Sequence, residues 1–306
     1  MKLTFATHIE RGLWRHLLGC QLFIYCLALT AFGSPTVATA QDSIEPEFVT
    51  VSTPYYRPDL VNFEPPLGTY SYGVSWQGIP AASAEVTIDQ AGANYLVSAS
   101  AKTASAIDLF YTLRYRADGE FSAIDMQPHK VTIRNQEGSK VRSVDMSFLG
   151  DGEVFTVRSQ NNQKPAKIVR FNPNNNMLDP FSATVLARSL DWSVGKSFDF
   201  DIFNGKSRYL ITMTAIDEAQ VEVNGKKHDC WVVSPTVKNL TNTKANNKLR
   251  EAKMYVTKDR SRDVLKIVSE VFIGAVTIEL ESFKPSNSQT AYARLNLAKE
   301  VPSKVR

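Results

Sequence analysis

The sequence predicts a mainly antiparallel all-β protein. Its strongly curved sheet forms a barrel-like or sandwich architecture, with one central capping helix near 179–189. Three observations carry this. From Phe63 onward apolar residues recur at every second position, the period of a half-buried strand. Asp151-Gly152, Asn204-Gly205 and Asn224-Gly225 interrupt these rows with the dipeptides that favour tight hairpins. Only one segment, 179–189, carries both the cap and the spacing of a confident helix.

Taken in order, residues 41–62 are polar and proline-containing without a sustained period, and read as a linker or an extended arm. Tyr70, Tyr72, Val74 and Trp76 then alternate with Ser71, Gly73 and Ser75, and Gly78-Ile79-Pro80 turns the chain. Ala84, Val86 and Ile88 form the next row. Tyr95, Val97 and Ala99 follow after the turn Ala91-Gly92-Ala93-Asn94, which makes a meander. A short helix is expected at 104–110. Val131 and Ile133 precede a hairpin-like break at Asn135-Gln136-Glu137-Gly138. Val144, Met146 and Phe148 lead to the Asp151-Gly152 turn, and Val154 to Ser159 pair back. The polar, asparagine-rich stretch 160–177 reads as loop.

Asp179 suits an N-cap and Pro180 the first helical position, where its missing N–H leaves nothing unsatisfied. Phe181, Val185 and Leu186 share one face and are expected to point inward, with Arg188 at the negative end of the helix dipole. Strands return at Phe198, Phe200 and Ile202, then at Tyr209, Ile211 and Met213. Val221-Val223 and Cys230-Val232 follow, and Met254-Val256, Val264-Val268 and Val276-Leu280 complete about a dozen strands. No change in composition marks a boundary, so 63–284 is expected to form a single domain, followed by a loosely ordered tail at 285–306.

The first forty residues point to export. Lys2, Arg11 and Arg15 precede an apolar run, 17–32, and the small residues Val37-Ala38-Thr39-Ala40 precede polar Gln41. This is the order of a signal peptide cleaved after Ala40, which implies a periplasmic location. The competing reading of 17–32 is a retained anchor. A spanning helix needs about 20 apolar residues, and this run is shorter and interrupted by Gly19 and Gln21. Leu17-Leu18-Gly19-Cys20 looks like a lipoprotein box, but it lies at the start of the apolar run instead of after it.

Cleavage would remove Cys20 and Cys26 and leave Cys230 alone, so no internal disulfide is expected. It would also take three basic residues and one acid (Glu10), lowering the formal charge from +4 to +2. A nearly neutral chain gives no bulk electrostatic case for nucleic acid.

No motif identifies a catalytic, cofactor or metal site, and the ligand-binding residues are unknown at this stage. Gly195-Lys196-Ser197 and Gly205-Lys206-Ser207 end like phosphate loops. Leu190 and Phe200, however, stand where such a loop needs its first glycine, so both read as turns with exposed lysines. His228-Asp229-Cys230 groups a base, an acid and a thiol, but the flanking Trp231-Val232-Val233 makes Cys230 a core residue. His129 and His228 are the only histidines expected to remain. With no paired Cys-x-x-Cys or HExxH, they assemble no usual zinc site. Lys244, Lys248, Arg250, Lys253, Lys258, Arg260, Arg262 and Lys266 read as solubilising charges on a sheet edge, with a face for anionic lipid as the alternative.

Phe63-Glu64-Pro65-Pro66-Leu67-Gly68-Thr69-Tyr70-Ser71-Tyr72-Gly73-Val74-Ser75-Trp76, continuing through Gln77-Gly78-Ile79-Pro80-Ala81-Ala82, resembles the opening of the Domain of Unknown Function 3108 (DUF3108) family. Asp179-Pro180-Phe181-Ser182-Ala183 with Arg188 is similar to that family's central helix. Met254-Tyr255-Val256-Thr257-Lys258-Asp259 with Arg262, then Phe272-Ile273-Gly274-Ala275-Val276, resembles its closing hairpin. The resemblance covers 63–283. It implies an exported Gram-negative envelope protein of antiparallel β-structure and transfers no catalytic residue.

The leading expectation is therefore a non-enzymatic periplasmic protein that binds an apolar or amphipathic envelope component, such as a lipid, or acts in envelope assembly. Export and a curved β scaffold support it, together with the aromatics Tyr70, Tyr72, Trp76, Tyr95, Phe110, Tyr111 and Tyr115. The alternatives are a hydrolase of cell-wall or lipid substrates using carboxylates that linear spacing does not reveal, and a purely structural interaction module. No cofactor is expected, nor a transmembrane span once the signal is removed.

Overall fold

Alternation along the chain becomes fifteen strands in one sheet, whose thirteen antiparallel junctions are joined by a single parallel one at an edge. The computed structural model describes residues 51–161, 166–241, 251–270 and 274–286. Residues 1–40 with Cys20 and Cys26, residues 41–50, the basic residues Lys244, Lys248 and Arg250, Phe272-Ile273 and the tail beyond 286 lie outside the described residues.

Strands β1 (Gly68–Trp76), β2 (Ile79–Ala91) and β3 (Asn94–Thr103) lead to the four-residue helix α1 (Ser105–Asp108). Then come β4 (Leu113–Ser122), β5 (Pro128–Glu137), β6 (Lys140–Phe148), β7 (Val154–Gln160), β8 (Lys167–Phe171) and the two-residue β9 (Met177–Leu178). Helix α2 (Pro180–Ser189) precedes β10 (Ser197–Phe203), β11 (Arg208–Val223), β12 (Lys226–Asn239), β13 (Ala252–Thr257), β14 (Val264–Glu270) and β15 (Ala275–Pro285).

Sheet order and chain reach together dictate the shape. The order runs from β8 through β7 down to β1, then β15 down to β9, so the two edge strands are consecutive in sequence. Residues 172–176 span at most about 20 Å between them. A flat sheet of fifteen strands would hold its edges roughly 67 Å apart at ~4.8 Å per strand. The sheet must therefore roll up into a barrel-like form. Register shifts at Ser71/Tyr72, Val74/Ser75, Glu120/Phe121 and Tyr255/Val256 supply local twist for the curl. Phe171 of β8 and Phe203 of β10 meet edge to face, 5.1 Å between centroids, across the seam. Asn224-Gly225 makes the hairpin expected of it, with φ of 52° and 75° matching a type I′ turn between β11 and β12.

Helix α2 fills the inside. Asp179 accepts from the backbone N–H groups of Phe181 (2.7 Å) and Ser182 (3.2 Å), and Ser182 Oγ accepts from Asp179 N, a reciprocal capping box. Every residue of α2 except Thr184 is buried, including Phe181, Val185 and Leu186. A surface helix buries one stripe, whereas this one is enclosed on nearly all sides. Gly119 on the inner row of β4 makes room for it, since a Cβ there would lie 2.5 Å from the Phe181 ring.

Several expectations are corrected. Residues 160–177 are not all loop, because Lys167–Phe171 pairs with β7 as an edge strand. Asn135, Gln136 and Glu137 belong to β5, and the turn comes at Gly138. Residues 51–66 lack regular strands but are docked. Tyr56 packs edge-on to Phe198 at 5.3 Å and accepts from Asp199 N, Asp59 N donates to Ser189 O, and Glu64 N donates to Arg260 O. The basic stretch is not an edge either, because β13 and β14 lie inside the sheet. Four of its described cations are ion-paired, Lys253 with Glu251, Lys258 with Glu218, Arg260 with Glu64, and Lys266 with Glu279, while Arg262 lies over the Trp231 ring.

Candidate functional site

Where the C-terminal end of α2 meets the β13–β14 turn, a cleft of about 40 Å³ remains unfilled. Alternation delivers its walls: Tyr70 and Tyr72 from β1, Val86 and Ile88 from β2, Val97 from β3, and Phe181 and Val185 from α2. Thr184, the one helix residue that is not buried, also reaches it. The polar edge is Arg188 with Asp263.

That edge is tightly specified. Arg188 Nε donates to the carbonyl of Arg262 (2.8 Å), and Nη2 donates to the carbonyl of Ser261 (2.8 Å) and to Asp263 Oδ1 (2.9 Å). Tyr70 hydroxyl donates to the same Asp263 oxygen at 2.9 Å, and Tyr72 hydroxyl donates to Val264 O at 3.2 Å. Burial pushes both phenols above their ordinary range, Arg188 pulling the other way, so they stay protonated and act as donors. Phe63 from the arm lies over the Arg188 guanidinium, 5.7 Å from its ring centroid, and shields it from water. Arg262 turns its own guanidinium over Trp231 at 4.3 Å, and burial holds its pKa below the usual arginine value. The cleft thus has apolar walls and a neutralised ion pair at its edge. Its one carboxylate is committed to Arg188 and Tyr70.

Asp179 lies at the other end of α2 with 0% exposure, and desolvation raises its pKa to about 6 despite the hydrogen bonds that oppose the shift. The folded state therefore holds this proton more tightly than the unfolded chain, whose aspartate sits near 3.8. The group's contribution to stability falls as pH rises from about 4 to about 6, by on the order of 3 kcal/mol, and is constant above that. Asp179→Asn keeps an oxygen acceptor at the cap and abolishes the titration. Relative to the wild type, it should gain stability between pH 4 and pH 7 in urea unfolding. A difference between the two proteins that does not change with pH would refute this.

The candidates taken from the sequence do not converge on the cleft. Cys230 has no exposure, its Sγ donates to the His228 carbonyl at 3.6 Å, and burial pushes the thiol up to about 11, far from a thiolate nucleophile. Gly195-Lys196-Ser197 and Gly205-Lys206-Ser207 each run into strands, whereas a phosphate loop runs into a helix. Among the aromatics, Tyr70 and Tyr72 line the cleft, Tyr95 and Tyr115 are core, and Phe110 is exposed. Sequence reasoning placed Arg188 at the negative end of the helix dipole but did not identify Asp263 as its partner. Among the described residues no group of three or more His, Cys, Asp or Glu is placed to hold a metal, and no helix is long and apolar enough to cross a membrane.

Comparison with known proteins adds a family. The family described as "Protein of unknown function (DUF3108)" matches residues 71–281. Among solved structures the chain is similar to the crystal structure of a beta-barrel-like protein of Domain of Unknown Function DUF1849 from Brucella abortus, with 11% identity and a TM-score of 0.48. That similarity covers 72% of this chain and 97% of the other. No curated protein matches. The family match runs from within β1 to within β15 and takes in Tyr72, Arg188 and Asp263, and the chain belongs to the DUF3108 family.

Proposed function

We propose that this is a non-enzymatic binding protein of the Gram-negative periplasm, whose cleft takes the apolar end of an amphipathic envelope component. The observation that carries the reading is the cleft itself. Its walls are valines, isoleucine, phenylalanine and tyrosine rings, with one satisfied ion pair at the edge. Space of about 40 Å³ accommodates roughly three water-sized groups, so it takes the tip of a chain and leaves the polar part outside. A hydrolase with two facing carboxylates has no counterpart in this lining.

A second reading, an interaction module in envelope assembly, has its own support. Leu109 and Phe110 are 81% and 64% exposed beside α1, an apolar tip of the kind that partners cover.

The test is a fluorescence titration of the mature protein, purified from periplasm, with 1-N-phenylnaphthylamine. Saturable binding displaced by a medium-chain fatty acid is expected, and mass spectrometry of the same preparation should give Gln41 as the first residue. Thr184→Phe fills the cleft from a partly exposed wall and should weaken binding about tenfold or more without lowering the melting temperature. Absence of saturable binding, or wild-type binding by Thr184→Phe, would remove the cleft as the site.

A further inference from the structure

At the opposite end of the strands the interior stops being apolar. The inward row of β5 runs Val131, Ile133, Asn135, Glu137 and that of β7 runs Val154, Thr156, Arg158. Toward the same end, the row of β6 passes from Met146 and Val144 to Arg142. Register sets Val144 opposite both Ile133 and Arg158, and Arg142 opposite Asn135. Arg142 and Arg158 are therefore diagonal neighbours on one face, within reach of a common ligand.

The β10–β11 turn adds a third cation. Gly205 packs so closely on β6 that a Cβ would lie 2.3 Å from Val144 Cγ1 and 3.0 Å from Met146 Sδ. Asn204 Oδ1 accepts from the backbone N–H of Lys206 (2.9 Å) and of Ser207 (2.7 Å), which fixes the turn, and with Gly205 seated on Val144 the Lys206 amine feels the charges of Arg158 and Arg142.

The cluster is under-neutralised. Glu137 is held by Arg142 Nη1 (3.1 Å) and Asn135 Nδ2 (2.9 Å). Neither Arg158 nor Lys206 has a carboxylate within ion-pair distance among the described residues. Thr156 Oγ1 and Arg158 Nε, two residues apart on the β7 row, and the hydroxyl of Tyr111, which lies in the field of Glu137 and Arg142, are buried with no hydrogen-bond partner among the described residues. Thr156 is 0% exposed. Such groups are costly to bury unpaired, and their clustering along the rows that carry Arg142 and Arg158 calls for an acceptor.

We propose that Arg142, Arg158, Lys206, Thr156 and Tyr111 form a binding site for a phosphate group. Three cations against Glu137 leave a charge that matches a phosphate monoester, which carries about −1.5 to −2 near neutral pH. Two guanidinium forks and two hydroxyls suit its tetrahedral oxygens. Burial, Arg158 and Arg142 all lower the Lys206 pKa, a strain that a bound anion relieves. The site does not act as a phosphate loop, and it is independent of the apolar cleft. Its phosphate is either a free ion or the headgroup of an envelope component, two sources that share this chemistry.

Isothermal titration of the mature protein with inorganic phosphate, against chloride at matched ionic strength, tests the first source. Co-sedimentation with phosphatidylcholine vesicles containing phosphatidic acid tests the second. Saturable binding is expected in at least one arm, weakened on the order of tenfold or more by Arg158→Gln and by Lys206→Gln. Lys206 lies on an exposed turn, although the cluster partly desolvates its amine, so its variant keeps the fold and the test stays decisive. Thr184→Phe should leave this binding unchanged, which separates failure here from failure of the cleft. No saturable binding in either arm, or wild-type affinity in both charge variants, would overturn the proposal.

Discussion

Asp201→Ala should destabilise the protein by about 3–5 kcal/mol, the cost of leaving a buried cation without its partner. Arg208 is 1% exposed and Asp201 0%, and Arg208 Nε donates to both carboxylate oxygens at 2.8 and 3.0 Å. The pair sits diagonally across the β10–β11 hairpin, since Asp201 faces Leu210 and Arg208 faces Phe203 in register. Its effect extends further. Asn175 Nδ2 donates to Asp201 Oδ2 at 2.6 Å, and Asn175 Oδ1 accepts from Thr53 N, so the carboxylate also tethers the β8–β9 connection and the N-terminal arm. Urea unfolding should show the loss, with a melting temperature lower by on the order of 10 °C. The double variant Asp201→Leu/Arg208→Met should cost less than Asp201→Ala, because it removes both charges and leaves no orphan. Single-variant losses below about 1 kcal/mol, or a double variant equal to the sum of its singles, would contradict a buried, coupled pair.

The same aspartate explains which parts of the structure could be read from sequence. Phe198, Phe200 and Ile202 alternate with Asp199 and Asp201, and alternation alone assigns the aspartates to solvent. Asp201 is buried because residues distant in sequence, Asn175 and through it Thr53, cover the other face of β10, and no local pattern encodes that cover. Local signals did survive. Asn224-Gly225 needs positive φ at both positions and provides it, and Asp179-Pro180 caps α2 with atoms within three residues of one another. Strand β8 was missed because Lys167–Phe171 is short, with a lysine and an arginine among its five residues, and gains its identity only by pairing with β7. The cleft was half legible. Tyr70 and Tyr72 alternate visibly, but Tyr70 meets Asp263 across 193 residues. The phosphate cluster was illegible for a related reason. Arg142 and Arg158 fall on inward rows, where a charge is not expected, and only the docking of Gly205 on Val144 brings in Lys206.

Leu186→Ala should cost about 2–5 kcal/mol, toward the upper end of that range. The side chain has no exposure and sits mid-helix in an element enclosed by the rolled sheet. Cavity cost grows when the surroundings cannot relax into the gap, and three restraints hold α2 in place here. The Asp179 capping box fixes its N-terminus, Phe181 is seated over Gly119, and the Arg188 bonds to Ser261, Arg262 and Asp263 fix its C-terminus. A helix fixed at both ends cannot slide to refill the space left by Leu186. Thr184→Ala, on the one side that reaches the cleft, loses one methyl group and a hydroxyl bonded to the Pro180 carbonyl at 2.7 Å and should cost much less. Urea unfolding of both variants should give midpoints separated in that order with unchanged slopes, since the surface exposed on unfolding is the same. Equal midpoints would mean that α2 is held loosely, and the enclosed-helix account of the core would fail with them.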